Sequence, residues 1–306
     1  MSNNLRVKSS SYIDETTSIP FKFNGKVYHG FKGDTLASAL LANGIHLVGR
    51  SFKYHRPRGI MSAGSEEPNA IVQVGNDKAI TEPNVRATEV EIHEGLEATS
   101  QNCWPSVNFD IGGINNLLSP FLPAGFYYKT FMWPASFWKN YEYFIRHSAG
   151  LGKSPSKPDL DLYDHQYAHC DVLVVGGGIS GVISAKLAAQ NNLNTILLDD
   201  KNYLGGSTIY QDNDEFKIDN KNSSEWLQKE ISNLKNYKNL VIKNRTSLAA
   251  FHGYNYLLAK ENLTDHLNVN EKKNKIRQRL WKIRAKKVII ATGAIERPLI
   301  FNNNDR

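Results

Sequence analysis

The chain has 306 residues, of which 41% are hydrophobic, 10% aromatic and 22% charged; this suits a folded globular protein with length for about two domains, and excludes disordered or fibrous classes. Lys and Arg number 37 against 30 Asp and Glu, a net charge of +7, yet they are spread along the chain beside no recognition motif, which argues against nucleic acid and for anionic ligands or an acidic partner subunit. Only Cys103 and Cys170 occur, excluding a disulfide framework and any CxxC metal site and fitting a reducing compartment.

Met1 to Ser11 is polar, without the apolar run of a secretory signal, and no stretch approaches the ~18 apolar residues of a spanning helix, so the reading is cytoplasmic, with no membrane. Phe21 to Tyr28 alternates around Asn24-Gly25, the pair best suited to a type I′ hairpin. Asp34-Thr35 can cap a helix with Leu36, Leu40 and Leu41 on one face, ended by Asn43-Gly44. Ala70–Val74 and Ala87–Ile92 read as further strands, and hairpin, helix and strands together suggest a β-grasp domain over residues 1–105.

Residues 106–165 form an aromatic-rich connecting segment and linker. From Phe121 to Phe144 it carries Phe121, Phe126, Tyr127, Tyr128, Phe131, Trp133, Phe137, Trp138, Tyr141, Tyr143 and Phe144, broken by Pro123 and Pro134, so it is not one long helix. Such rings pack an irregular segment against a neighbour or, alternatively, offer a stacking surface for a flavin. Ser148 to Asp161 is turn-rich.

Residues 166–306 carry the chemistry. Cys170–Val175 reads as a strand buried on both faces, and leads into Gly176-Gly177-Gly178-Ile179-Ser180-Gly181 and then a helix. Gly176, Gly178 and Gly181 fit GxGxxG: the first makes the tight turn, the second admits a pyrophosphate, the third lets helix and strand pack closely. Amides at the helix start, around Ile179 and Ser180, face the phosphates. A second strand, Thr195–Leu198, ends on Asp199 and Asp200, followed by Lys201, roughly twenty residues after the glycines, where an acid accepts hydrogen bonds from the adenosine ribose and disfavours a 2′-phosphate. Strand alternation points one of the two acids away; Asp199 is the first choice. Gly206 and Ser207 allow a backbone to lie beside the ribose and pyrophosphate. Leu248, after the Leu240–Ile242 strand, passes beside an adenine ring or packs as plain strand, and Thr292-Gly293 follows another buried strand with small residues. The basic run Lys272–Lys287 reads as a solvated strand pair. No Ser-His-Asp or Cys-His set has supporting spacing, so neither a catalytic residue nor a metal site is assigned.

The texts Arg50-Ser-Phe-Lys-Tyr-His-Arg-Pro-Arg-Gly59, Pro123 to Pro134, Asp171 to Gly178 and Arg284 to Pro298 together resemble the α subunit of heterotetrameric sarcosine oxidase. The resemblance implies an α/β protein: a ferredoxin-like β-grasp domain followed by a Rossmann-like, glutathione-reductase-type dinucleotide-binding domain. It implies NAD in this chain, with FAD as the alternative, since both present the same adenosine and pyrophosphate. It further implies FMN and FAD in the complex, tetrahydrofolate in a later part of the subunit, β, γ and δ partner subunits, and oxidative demethylation of sarcosine to glycine. Hydrogen peroxide and formaldehyde or 5,10-methylenetetrahydrofolate are the other products. The other subunit family to weigh is that of dye-linked amino-acid or opine dehydrogenases and cyanide-forming glycine oxidases, some of which hold a [2Fe-2S] cluster on cysteines. Met61 to Ala70, the corresponding stretch, has no Cys, so a domain without an Fe-S cluster is expected. The sheet is expected to be incomplete at the C-terminus, the chain reading as truncated.

Overall fold

The computed structural model describes residues 5–6, 12–121, 133–148, 150–210, 217–295, 299 and 301. Two compact units emerge: Met1–Leu160 with His266–Glu271 and Pro298–Arg306, and Asp161–Asp265 with Lys272–Arg297.

In the first unit, β1 (Asp14–Phe23) and β2 (Lys26–Lys32) form the expected hairpin. Asn24 and Gly25 both have positive φ, 50° and 76°, as a type I′ turn requires. The sheet is completed by β3 (Ile71–Val74), β4 (Glu82–Arg86) and β5 (Glu97–Ser100), in the order β2-β1-β5-β3-β4 with β1 and β5 parallel. Helix α1 (Leu36–Ala42) starts at Thr35, which shares a capping box with Ser38, and its Leu36 and Leu40 are wholly buried against Phe21, Phe23 and Val72. Leu41, expected on that face, is 37% exposed. A second correction concerns Ala87–Ile92. The strand lies earlier, at β4, and Ala87 to Val90 instead backs the helix start, its carbonyls at Ala87 and Val90 accepting from Ala37 and Leu36. Period-two text was satisfied there by the needs of the helix amides, which have no partner inside their own first turn.

Of the aromatic segment, Phe126, Tyr127, Tyr128 and Phe131 lie outside the described residues. Within this chain Trp133 and Phe144 are exposed, the latter on α2 (Trp138–Ser148).

The second unit is a six-stranded sheet built from β6 (Leu162–Val175), β7 (Thr195–Leu198), β8 (Leu240–Lys243), β9 (Thr246–His252), β10 (Tyr256–Asn262) and β11 (Ile276–Ile290). Its order is β8-β7-β6-β11-β10-β9, with β8, β7, β6 and β11 parallel and an antiparallel β9-β10-β11 meander. Alternation along β6 sends Val172 and Val174 to one face, under α3 (Ile179–Gln190) and α4 (Ser223–Leu234), and Leu173 and Val175 to the other, with Leu257, Trp281 and Ile283. Each fully buried aliphatic side chain there contributes about 2 kcal/mol. From Ile276 the basic run lies on the one long strand β11, where Arg277 meets Asp161 and Asp265, Arg279 meets Asp164, and the exposed Lys286 meets Asp171, while Lys273, Lys275 and Lys287 are solvated. Among the described residues no helix is long and apolar enough to cross a membrane.

Candidate functional site

The turn from β6 into α3 is bare backbone held from three sides. Gly176 has φ +102°, and a Cβ there would overlap the Ala291 carbonyl oxygen; only glycine fits. Its amide donates to Leu198 O at 2.8 Å, and Ala291 N donates to Val175 O at 2.7 Å. Gly177 O accepts from Gly205 N at 2.9 Å, and Gly178 faces Gly206, whose added Cβ would come within 2.9 Å of Gly178 Cα. A Cβ on Gly181 would overlap Gly176 O, the close helix–strand approach that the third glycine of the pattern provides.

Gly178 is the N-cap of α3 and supplies no side-chain cap, so the first helical amides, at Ile179, Ser180 and Gly181, are presented at the dipole's positive end. These are the groups that receive a diphosphate in nucleotide sites of this kind. Thr292 Cα lies next to Gly176. Thr292 and Gly293 are exposed beyond the end of β11, and Ser207 is exposed on the short helical turn Gly206–Tyr210.

Asp199 and Asp200 separate as strand alternation requires. Asp200 is exposed, whereas Asp199 is 8% exposed, with Oδ2 accepting from Gly177 N at 2.6 Å and Oδ1 from Lys201 N at 2.9 Å. The acid therefore ties the end of β7 to the glycine turn. Burial pushes its pKa up to about 6, against the two amide bonds that lower it; neighbouring Asp200 raises it further. Since the folded value lies above the unfolded one, the stability this group contributes is present below about pH 4 and is lost as pH rises through about 6, a swing on the order of 3 kcal/mol. Carboxyl carbon NMR should show Asp199 titrating near 6, and a dinucleotide whose ribose hydroxyls donate to the ionised carboxylate should move that midpoint down. A midpoint near 4 without ligand would contradict the assignment.

Gly177 and Gly205 were not among the expected site residues; each adjoins an expected glycine, Gly178 and Gly206, and the bond between them joins the two loops. Leu248 packs against the cluster containing Leu173 and Val175, so its side chain serves the core. Cys170 is buried there too, and burial raises its thiol to about 11, leaving it inert as a nucleophile.

In the first unit, Met61 to Ala70 folds around one carboxylate. Glu67, 1% exposed, accepts at Oε2 from the amides of Met61 (2.8 Å) and Ser62 (2.6 Å) and at Oε1 from those of Asn69 (2.8 Å) and Ala70 (3.0 Å).

Residues 16–103 match the family described as 2Fe-2S iron-sulfur cluster binding domain, and residues 171–244 the family described as FAD dependent oxidoreductase. The first match overturns the expectation of a domain without an Fe-S cluster: the span belongs to a cluster-binding family. A cluster of this kind takes four ligands, usually thiolates. The matched span holds Cys103 alone, and the loop Met61–Ala70 closes on Glu67 through four of its amides, so the side chains present do not fit that ligand set and no step is derived through it. The second match supports FAD, the alternative to NAD, at a glycine turn whose contacts the two dinucleotides share.

Over 302 residues, 98% of the chain, the sequence is 47% identical to sarcosine oxidase subunit alpha of Rhizobium meliloti (strain 1021), covering 30% of that protein. Over 296 residues it is 33% identical to sarcosine oxidase subunit alpha of Corynebacterium sp. (strain U-96), covering 26% of it. The chain thus spans less than a third of the length of these relatives. Among solved structures, L-proline dehydrogenase from P. horikoshii superposes with a TM-score of 0.57 at 20% identity, covering 98% of this chain and 46% of that one, a likeness of fold.

Proposed function

Given a chain similar over nearly all its length to the sarcosine oxidase α subunits, we propose that it is the dinucleotide-holding part of the cofactor-binding α subunit of a sarcosine-oxidase-like complex, in which oxidation of the CH–NH bond of sarcosine belongs to the β subunit. The glycine turn carries this reading: Gly176 and Gly181 let strand and helix pack backbone to backbone and Gly178 stays open at the helix N-terminus, with Asp199 fastened to the turn through Gly177 N. When bound, a flavin accepts hydride from a carbon next to nitrogen. The chain's own groups bind and orient. Amides of Ile179, Ser180 and Gly181 take the diphosphate; Asp199, or the exposed Asp200 beside Lys201, takes the ribose; Gly206, Ser207, Thr292 and Gly293 flank it with small side chains. Similarity to α subunits supports a multi-subunit assembly, and we assign β, γ and δ subunits as its partners and the cytoplasm as its place.

Gly178→Val tests this. The site has ordinary backbone angles and an added Cβ meets only Gly206 Cα, at 3.8 Å, so the first side-chain atom fits without strain and the valine methyls stand where the diphosphate would lie. Purified with its partner subunits, the variant should retain less than a tenth of the wild-type dinucleotide by mass spectrometry of the released cofactors, with secondary structure unchanged. Wild-type nucleotide content in Gly178→Val would refute the site.

A further inference from the structure

A cavity of about 250 Å3 opens in the first unit, walled among others by Arg50, Arg58, Asn69, Asn84, Gln101 and Asn102, and among the described residues no Asp or Glu lines it. Most of its polar side chains are already committed. Arg50 donates through Nε and Nη2 to Val107 O (2.8 and 2.7 Å) and through Nη1 to His55 O (3.2 Å). Asn84 donates to Leu151 O, Gln101 to Asn84 Oδ1 and Asn102 to Ser51 O. Asn69 differs. It is 8% exposed, its Oδ1 accepts from Arg58 Nη1 at 3.1 Å, and its Nδ2 is buried with no partner. The guanidinium can only donate, which fixes the amide's orientation, so the unpaired atom is the nitrogen and not a misassigned oxygen. A buried donor without an acceptor carries a desolvation cost that an incoming acceptor removes. Arg50 donates to carbonyl oxygens rather than to a carboxylate and places its positive charge in the cavity wall.

We propose that this cavity binds a small oxyanion group, a carboxylate or a phosphate, that accepts from Asn69 Nδ2 in the field of Arg50. The site lies apart in sequence from the glycine turn and does not rest on the dinucleotide reading.

The test uses the 15N-labelled chain, the Asn69 side-chain amide being identified as the pair of signals missing in Asn69→Asp. Sodium phosphate and sodium acetate are titrated separately at constant ionic strength made up with chloride. A saturable shift of the Asn69 pair with either salt supports the proposal; phosphate alone identifies a phosphate group as the ligand, acetate alone a carboxylate. In Asn69→Asp the new carboxylate keeps Arg58 paired but repels an anion, and affinity by calorimetry should fall at least tenfold. No saturable shift in the wild-type chain with either salt overturns the proposal, whatever the variant's folding. Equal affinity in a folded Asn69→Asp overturns it too, as does binding lost in Gly178→Val but kept in Asn69→Asp, which places the anion at the glycine turn.

Discussion

Gly181→Ala is expected to destabilise the second unit by about 3–5 kcal/mol, although alanine is the better helix former by about 1 kcal/mol. Gly181 sits in the first turn of α3 with ordinary helical angles, so conformation is no obstacle to a side chain. The obstacle is steric: the new Cβ would overlap Gly176 O. That carbonyl cannot retreat, because Gly176 has φ +102°, the space where a Cβ would stand is taken by the Ala291 carbonyl, and its amide is bonded to Leu198 O. Relief requires α3 to lift away, opening the contacts of Val182 and Ala185 with Val172 and Val174. Denaturant unfolding followed through buried Trp281 measures this loss. The companion Gly178→Ala, facing Gly206 Cα at 3.8 Å, should unfold within about 1 kcal/mol of wild type. Equal stability of the two variants would mean that the turn and helix do not meet as described.

Removing the Glu67 carboxylate is expected to have the largest effect in the first unit. Four backbone amides and the Ser62 hydroxyl converge on its two oxygens, and charge-assisted bonds of this type are worth about 1.5–3 kcal/mol each, less than additively. Glu67→Ala leaves the amides buried and unpaired. Glu67→Gln keeps the shape, yet in either orientation its NH2 faces two N–H donors, because each carboxylate oxygen serves a separate pair. Both should cost about 4 kcal/mol.

The pH dependence identifies the cause. Burial raises the Glu67 pKa, but the amides of Asn69, Ser62, Ala70 and Met61 outweigh it and hold the carboxyl below its ordinary value. A lowered folded value means that the stabilisation is complete above the unfolded pKa of about 4.3 and fades as pH falls through the folded one. The gap in melting temperature between wild type and Glu67→Gln should therefore be constant above about pH 5 and narrow in more acidic buffer. A gap that does not vary with pH would show that the loop depends on glutamate's packing and not on its charge.

The sequence by itself determined the features whose causes are local. Asn24-Gly25 turns because both residues accept positive φ, Thr35 and Ser38 cap α1, and three spaced glycines announce the tight turn between β6 and α3. Only the tertiary structure decided what depends on distant partners. Alternation at Ala87–Ile92 was spent on the α1 amides, while β4 formed at Glu82–Arg86. Basic β11 is paired because Asp161, Asp164 and Asp171 lie across from it on β6 and just before it. Asp199 rather than Asp200 is fastened to the turn because only its side chain faces Gly177 N. Nothing in the identities of Glu67's neighbours shows that four amides will close on it. Turns and caps draw on the conformational preferences of adjacent residues, whereas these other features arise from groups brought together only when the chain closes, which spacing in sequence does not encode.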